Sequence, residues 1–353
     1  MSRAATPTKS RSAKLLAVLE DYRQVFVVMH DNPDPDAIAT GWSIVCLVEE
    51  RLGLPVRLIG GGAIVRAENK HMVELLSPPI QLATRLVVPD DAATVLVDCG
   101  VRTTNHLAVR SGVEPIAVID HHGGSAPEQP LRFSDVRSDA AASASIAASY
   151  LREQGLEPGA KLATAVLYAL RTETRGGETG HSDLDCALVE WLTPRADLEL
   201  LAAIENAPLE REYFSDLALA MQNTMVYGET ALCFLPQAQG AEIVGEVADL
   251  LIRCRGVIRV LCAALIGDDL LLSARTEHDE DNAAELLQQT IEGLGGCGGH
   301  SHRAGGKISA ATSRGEPRKN LHAQLRHRWL AACGASEEHG SRLVATPDVV
   351  DNL

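Results

Sequence analysis

Three apolar, β-branched runs in the first third of the chain each end in His or Asp, and this repetition constrains the fold more than any other feature. Val25-Phe26-Val27-Val28-Met29 leads into His30-Asp31-Asn32-Pro33-Asp34-Pro35-Asp36-Ala37. Thr94-Val95-Leu96-Val97 leads into Asp98, and Ile116-Ala117-Val118-Ile119 leads into Asp120-His121-His122-Gly123. Such runs, lacking alternation, read as strands buried on both faces of a parallel sheet. Helical patterns lie between them, among them Ala37 to Leu52, which stops before Gly53. The alternation predicts an α/β fold with a doubly wound parallel sheet. In such sheets ligands bind beyond the carboxyl ends of the strands. The named His and Asp residues would gather there, the first loop stiffened by two prolines, as a metal-competent set.

At 353 residues the chain is long enough for two domains. The pattern divides it into a metal-binding domain over 12–204, a linker helix over 205–226, a smaller α/β domain over 227–331 and a tail over 332–353. The formal charge of −15 opposes tight binding of long or duplex nucleic acid, which needs a basic track. Aromatics at 3% leave little for base-stacking platforms. None of the eight cysteines forms a C-x-x-C pair, so neither a zinc finger nor a disulfide framework is expected. No apolar stretch approaches a membrane span and no signal core follows the basic N-terminus, so a soluble, cytoplasmic protein is expected.

Several stretches carry competing readings. Gly60-Gly61-Gly62 reads first as a sharp turn and second as a phosphate cradle. The Ala/Ser-rich helix over Ala140 to Gln154 suggests close packing, with Ser143 or Ser145 as a cap or phosphate contact instead. Ser182 caps the helix that runs towards Trp191, with Asp185 in its first turn. Taken singly, Asp36 could be only a helix cap and Asp98 only a strand-end turn. His71, His106, His181 and His278 fit no motif and read as surface or packing residues.

The Asp120-His121-His122 signature, together with His30-x-x-Pro33-Asp34-x-Asp36-Ala37, resembles the DHH phosphoesterase superfamily. The resemblance implies two divalent ions, by family habit manganese, and a water between them as nucleophile. It places His30 and Asp34 on the first ion, Asp36 and His121 on the second, and Asp98 between both. Asp120 would orient a neighbouring imidazole, and His122 would face the scissile phosphate or leaving oxygen. The family's Thr-Asp-Thr-Gly-x-Phe motif appears here as Thr172-Glu173-Thr174-Arg175, so Glu173 stands for the usual Asp ligand on a side chain one methylene longer.

Gly298-Gly299-His300-Ser301-His302-Arg303-Ala304-Gly305-Gly306 resembles the glycine-histidine motif of the DHH-associated C-terminal domain. It implies that Gly298, Gly299 and His300 touch substrate. Arg275, in Ser273-Ala274-Arg275, would grip a terminal phosphate. The implied reaction is that of the bacterial nano-RNases, which hydrolyse short oligonucleotides and 3′-phosphoadenosine 5′-phosphate. The expected partner is a small nucleotide or short oligonucleotide, with no membrane and with a homodimer left open. A cyclic-dinucleotide phosphodiesterase is the near alternative. A nucleotide sensor that binds without hydrolysis is the alternative of another class, and Glu173 is its one support.

Overall fold

The computed structural model describes residues 10–122, 131–174, 176, 182–238, 240–278, 280–299, 301–309, 318–336 and 338–344. The chain divides into two compact units, Met1–Ala207 and Pro208–Leu353. Among the described residues no helix is long and apolar enough to cross a membrane.

The first unit runs α1 (Arg11–Leu19), β1 (Gln24–Val28), α2 (Pro35–Leu52), β2 (Val56–Gly60), α3 (Ala67–Leu76), β3 (Ile80–Leu82), β4 (Ala92–Val97), α4 (Leu107–Ser111), β5 (Ala117–Asp120), β6 (Phe133–Val136), α5 (Ser143–Glu153), α6 (Ala160–Glu173), α7 (Asp183–Leu192) and α8 (Leu198–Glu205). Its six strands lie in the order β3-β2-β1-β4-β5-β6, and every pair is parallel. Val25 to Val28 and Val95 to Val97 are buried, as strands covered on both faces must be. From β1 the chain steps outward to β2 and β3, then returns to place β4 on the other flank of β1. The order therefore reverses between β1 and β4, which opens a crevice beyond their carboxyl ends. Met29-His30 leaves β1 at that point and Asp98 leaves β4.

Small residues do what the sequence suggested for α5. Ser143, Ala144, Ala147 and Ala148 are fully buried, and α5 lies against α2. Asp34, not Asp36, is the N-cap of α2, its Oδ1 accepting the Ala37 N–H at 3.0 Å. Ser182 and Asp185 form a reciprocal capping box on α7.

Within β6, Asp135 receives both Nε and Nη2 of Arg137, at 2.9 and 2.7 Å, and the Tyr150 hydroxyl at 2.5 Å. Burial works against this carboxylate, but Arg137 and Tyr150 hold it below its ordinary value of 3.8. Its contribution to stability is present above the unfolded value and is lost as pH falls through the lower folded one. Asp135→Asn should cost about 3 kcal/mol, the low end for a broken buried pair because the Arg137 side chain stays 25% exposed. Urea melts of both proteins should converge below pH 3.8, where wild type loses the same contribution.

The second unit runs α9 (Arg211–Asn223), β7 (Thr224–Tyr227), β8 (Thr230–Leu235), α10 (Glu242–Leu251), β9 (Arg259–Ile266), β10 (Asp269–Thr276), α11 (Ala283–Ile291), β11 (Gly296–Gly299), β12 (Arg303–Ile308), α12 (Arg318–Ala332) and β13 (Gly340–Arg342). Its sheet order is β11-β12-β10-β9-β8-β7-β13, antiparallel except for the β8–β9 pair. Two sequence readings change here. The helix read as an isolated connector packs Tyr213, Leu217, Ala220 and Met221 onto the core under β8 and β9. Residues 340–342, read as tail, form an edge strand on β7.

The glycine-rich stretch forms regular structure. Gly296 to Gly299 pairs with Ala304 to Lys307 as a hairpin. Gly299 is held there by crowding: a Cβ would sit 2.3 Å from the Arg303 carbonyl oxygen.

Candidate metal centre

The crevice beyond β1 and β4 collects three imidazoles and four buried or half-buried aspartates. His30 follows β1, and its Nδ1 donates to the Asp31 carbonyl oxygen at 2.8 Å. That bond leaves Nε2 as the nitrogen that faces the carboxylates. Nε2 lies 3.6 Å from Asp34 Oδ1 and 3.5 Å from Asp98 Oδ2. His121 repeats the arrangement on the other side. Its Nδ1 donates to the Ala140 carbonyl at 3.3 Å, and Nε2 lies 3.6 Å from Asp36 Oδ2 and 3.7 Å from Asp98 Oδ1. Asp98 thus turns one oxygen towards each imidazole. It does so with φ 55°, a left-handed conformation that Asp tolerates better than most residues.

His122 differs from the other two. Its Nδ1 donates to Asp120 Oδ1 at 2.8 Å, and the same oxygen accepts the His122 backbone N–H at 3.1 Å. Its side chain is 38% exposed, against 16% and 14% for His30 and His121. Burial would lower its proton affinity, but Asp120, Asp98 and Glu173 raise it to about 8.

Asp36 is held by a helix end. Its Oδ2 accepts the Ser143 N–H at 2.8 Å and its Oδ1 the Ala144 N–H at 2.7 Å, the first two residues of α5. A carboxylate at a helix N-terminus satisfies orphan donors and meets the positive end of the dipole. The Ser143 hydroxyl joins this frame, donating to Asp98 Oδ1 at 2.9 Å and accepting the His121 N–H at 3.1 Å. Ser143 therefore touches three of the expected ligand residues. The sequence reading gave it to packing; its position at the start of a small-residue helix shortly after the Asp-His-His signature was the available clue. Ser145 serves Asp185 instead. Ser143→Ala should leave the fold intact and weaken metal affinity about 10- to 100-fold, the usual effect of losing a group that orients a ligand. Calorimetric titration with manganese checks this.

The donor set fits divalent cations. Two clusters, His30-Asp34-Asp98 and Asp98-His121-His122, bring one ligand atom per residue within 4.8 Å of one another. Asp98 belongs to both. Each of the three imidazoles has its Nδ1 proton fixed on an oxygen, as metal-ligating histidines generally do. Charge points the same way. Burial, then the charges of Asp98, Glu173 and Asp34, pushes the Asp36 carboxyl well above its usual range. Burial opposes His30 protonation, yet Asp34 and Asp98 hold His30 well above 6.5, while His30 brings Asp34 down to about 2. So much negative charge in one crevice calls for cations.

The remaining expected residues stand differently. Asp36 lies outside the two clusters, though within reach of His121. Glu173 ends α6, half-buried, close enough for its charge to raise both Asp36 and His122. Gly60-Gly61-Gly62 follows the turn reading: the Asn32 N–H donates to the Gly61 carbonyl at 2.9 Å, and Asn32 Oδ1 accepts the Ala63 N–H at 3.0 Å. In the second unit, Arg275 is buried and engaged. Its Nε and Nη2 reach Asp249 at 2.6 and 3.4 Å, and its Nη1 donates to Ser273 Oγ at 2.7 Å and the Ala274 carbonyl at 2.9 Å. Asp249 thus holds the position the sequence reading gave to a terminal phosphate. Gly298 and Gly299 lie in β11, and His300 lies outside the described residues.

Residues 24–170 match the model of the DHH family N-terminal domain, a span that contains every expected ligand except Glu173. An uncharacterized protein of Methanocaldococcus jannaschii is 30% identical over 337 residues, covering 94% of this chain and 68% of that protein. The chain belongs to the DHH family. Members of this family are phosphoesterases. The fold agrees with solved structures. An exopolyphosphatase-related protein from Bacteroides fragilis superposes with a TM-score of 0.70 at 14% identity, over 91% of this chain and 96% of that one. RecJ from Thermus thermophilus, solved in complex with Mn2+, gives 0.52 at 17% identity, over 94% of this chain and 56% of RecJ. The DHH signature of this chain, Asp120-His121-His122, is the segment that joins β5 to the second cluster.

Proposed function

We propose that this DHH phosphoesterase hydrolyses phosphoesters in small nucleotides: di- to pentanucleotides, linear dinucleotides or 3′-phosphoadenosine 5′-phosphate. The observation that carries the reading is Asp98, buried between two imidazole clusters with one oxygen facing each. His30 and Asp34 on one side, and Asp36 and His121 on the other, would hold two divalent cations, with Glu173 a further carboxylate for the second. Carboxylate-rich sites with imidazole suit manganese. A pair of such ions supplies, when bound, neutralisation of phosphoryl charge and a water acidified towards neutral pH.

The chain's own residues do the rest. Ser143 and the α5 N-terminus fix the carboxylates of Asp98 and Asp36. Asp120 fixes the His122 ring. His122, half-exposed at the edge of the site with its ring set by Asp120, is placed to touch the scissile phosphate or the leaving oxygen. The net charge of −15 supports a short substrate, since long polymers would be repelled everywhere outside the cation site.

A substrate panel tests the reading. With manganese, turnover is expected on dinucleotides or on 3′-phosphoadenosine 5′-phosphate and on the generic ester bis-p-nitrophenyl phosphate, and to be poor on long single strands. His300→Ala should lower kcat/KM on the dinucleotide about 10- to 150-fold, the cost of a lost charged hydrogen bond, and spare the generic ester. Faster turnover of cyclic than linear dinucleotides would favour the near alternative. Binding without turnover on any member would make the chain a sensor.

A further inference from the structure

Asp31 is the one acid of the His30-to-Asp36 loop that the ligand set leaves unused. We propose that Asp31 and Arg110 are positioning residues for His30, a charge clasp that sets the imidazole towards the first cation. The inference rests on the reading of the His30 cluster as a metal site. Asp31 acts at both its backbone and its side chain. Its carbonyl oxygen takes the His30 Nδ1 proton at 2.8 Å, which decides which ring nitrogen faces Asp34 and Asp98. Its N–H donates to the Asn105 carbonyl at 2.6 Å, beside the bridge between His30 and His106. Its carboxylate receives Arg110 twice, Nη2 on Oδ1 at 2.8 Å and Nη1 on Oδ2. Arg110 belongs to α4, so the pair ties the loop after β1 to the helix after β4.

The third wall is Gly61, after β2. A Cβ there would lie 2.0 Å from Asp31 Oδ1 and 2.9 Å from Arg110 Nη2. Only glycine lets that turn close over the ion pair without moving it. Three strand ends thus meet on one carboxylate whose own carbonyl orients a ligand. A role in stability alone fits poorly. Arg110 is 43% exposed and Asp31 21%, and pairs this open contribute little to folding. Bidentate geometry instead fixes direction. The Arg110 pair adds a tie to a loop whose backbone is held at the Asp31 N–H by Asn105 and at the Asn32 N–H by Gly61, and so narrows the freedom of the carbonyl on which His30 rests.

The test is manganese titration followed by electron paramagnetic resonance of the free ion, with thermal melting of the metal-free protein beside it. Arg110→Ala and Asp31→Asn are each expected to weaken manganese binding about 10- to 100-fold while leaving the metal-free melting temperature nearly unchanged. The double variant should be no weaker than either single one, because the two groups act as one unit. Arg110→Lys should recover part of the loss. Unchanged affinity in both single variants overturns the clasp, as does an affinity loss accompanied by an equal loss of stability. If wild type binds no manganese, the metal-site reading fails and takes the clasp with it. If wild type binds and the variants bind equally well, only the clasp fails.

Discussion

Asp98→Asn is expected to cut manganese-dependent turnover by roughly 10³-fold, since a shared carboxylate underlies several kcal/mol of charge stabilisation in the transition state and each 1.36 kcal/mol is tenfold. The fold should survive. Asn has nearly the same shape, accepts the Ser143 hydroxyl through its amide oxygen, and tolerates the positive φ that Asp98 adopts. What it cannot do is offer an anionic oxygen to each side. Its amide nitrogen would face either His30 or His121 as a donor. Steady-state kinetics at saturating manganese decide the matter: turnover within tenfold of wild type would mean that Asp98 is not shared between two ions.

Asp36→Ala should have the second-largest effect, and of a different kind. Besides losing a carboxylate beside His121, it strips acceptors from the Ser143 and Ala144 N–H groups, which are fully buried at the start of α5. An orphaned buried donor costs about 1–3 kcal/mol, so two cost roughly 2–6 kcal/mol. Asp36→Asn separates the two roles. It keeps one oxygen for the helix end and loses the charge. Because the Asp36 carboxyl is held well above its ordinary range, its ionised form weakens the metal-free fold as pH rises through that interval. Without metal at neutral pH, Asp36→Asn gains by losing the charge and loses one of the two N–H acceptors, so it should stay closer to wild type than Asp36→Ala, which loses both. Both should lose most of their turnover. Urea melts of the three proteins read the difference, and equal stability for both variants would refute the helix-end role.

The parts of this molecule that were legible in its sequence are those in which local pattern and chemistry coincide. Strands β1, β4 and β5 announce themselves by β-branched runs, and the His and Asp that follow them must share a sheet edge once the strands are parallel. The partners of those residues were not legible, because they come from far along the chain. Asp36 is fixed by a helix end 107 residues away, and Asp98 by a serine 45 residues away. For Ser143 the local sequence offered only its place at the start of a small-residue helix after the Asp-His-His signature, which does not name the carboxylate it holds. The partner of Arg275 was hidden for the same reason, as Asp249 sits on a helix 26 residues earlier.

Two further features were hidden by composition. Gly296-Cys297-Gly298-Gly299 has one side chain in four residues, too few to show a strand period, yet it pairs along β12. The helix Arg211–Asn223 has a mixed-polarity face, with Asp216 buried and Phe214 exposed, so its packing onto β8 and β9 was hidden. Glu173 ends α6, and its charge reaches Asp36 and His122.

Low-temperature electron paramagnetic resonance of the protein loaded with two equivalents of manganese tests the central claim most directly. If Asp98 joins two cations, the ions lie about 3.5–4 Å apart, and the spectrum should show a spin-coupled pair that disappears in Asp98→Asn. Two uncoupled six-line signals, or a single ion bound per chain at saturation, would contradict the account.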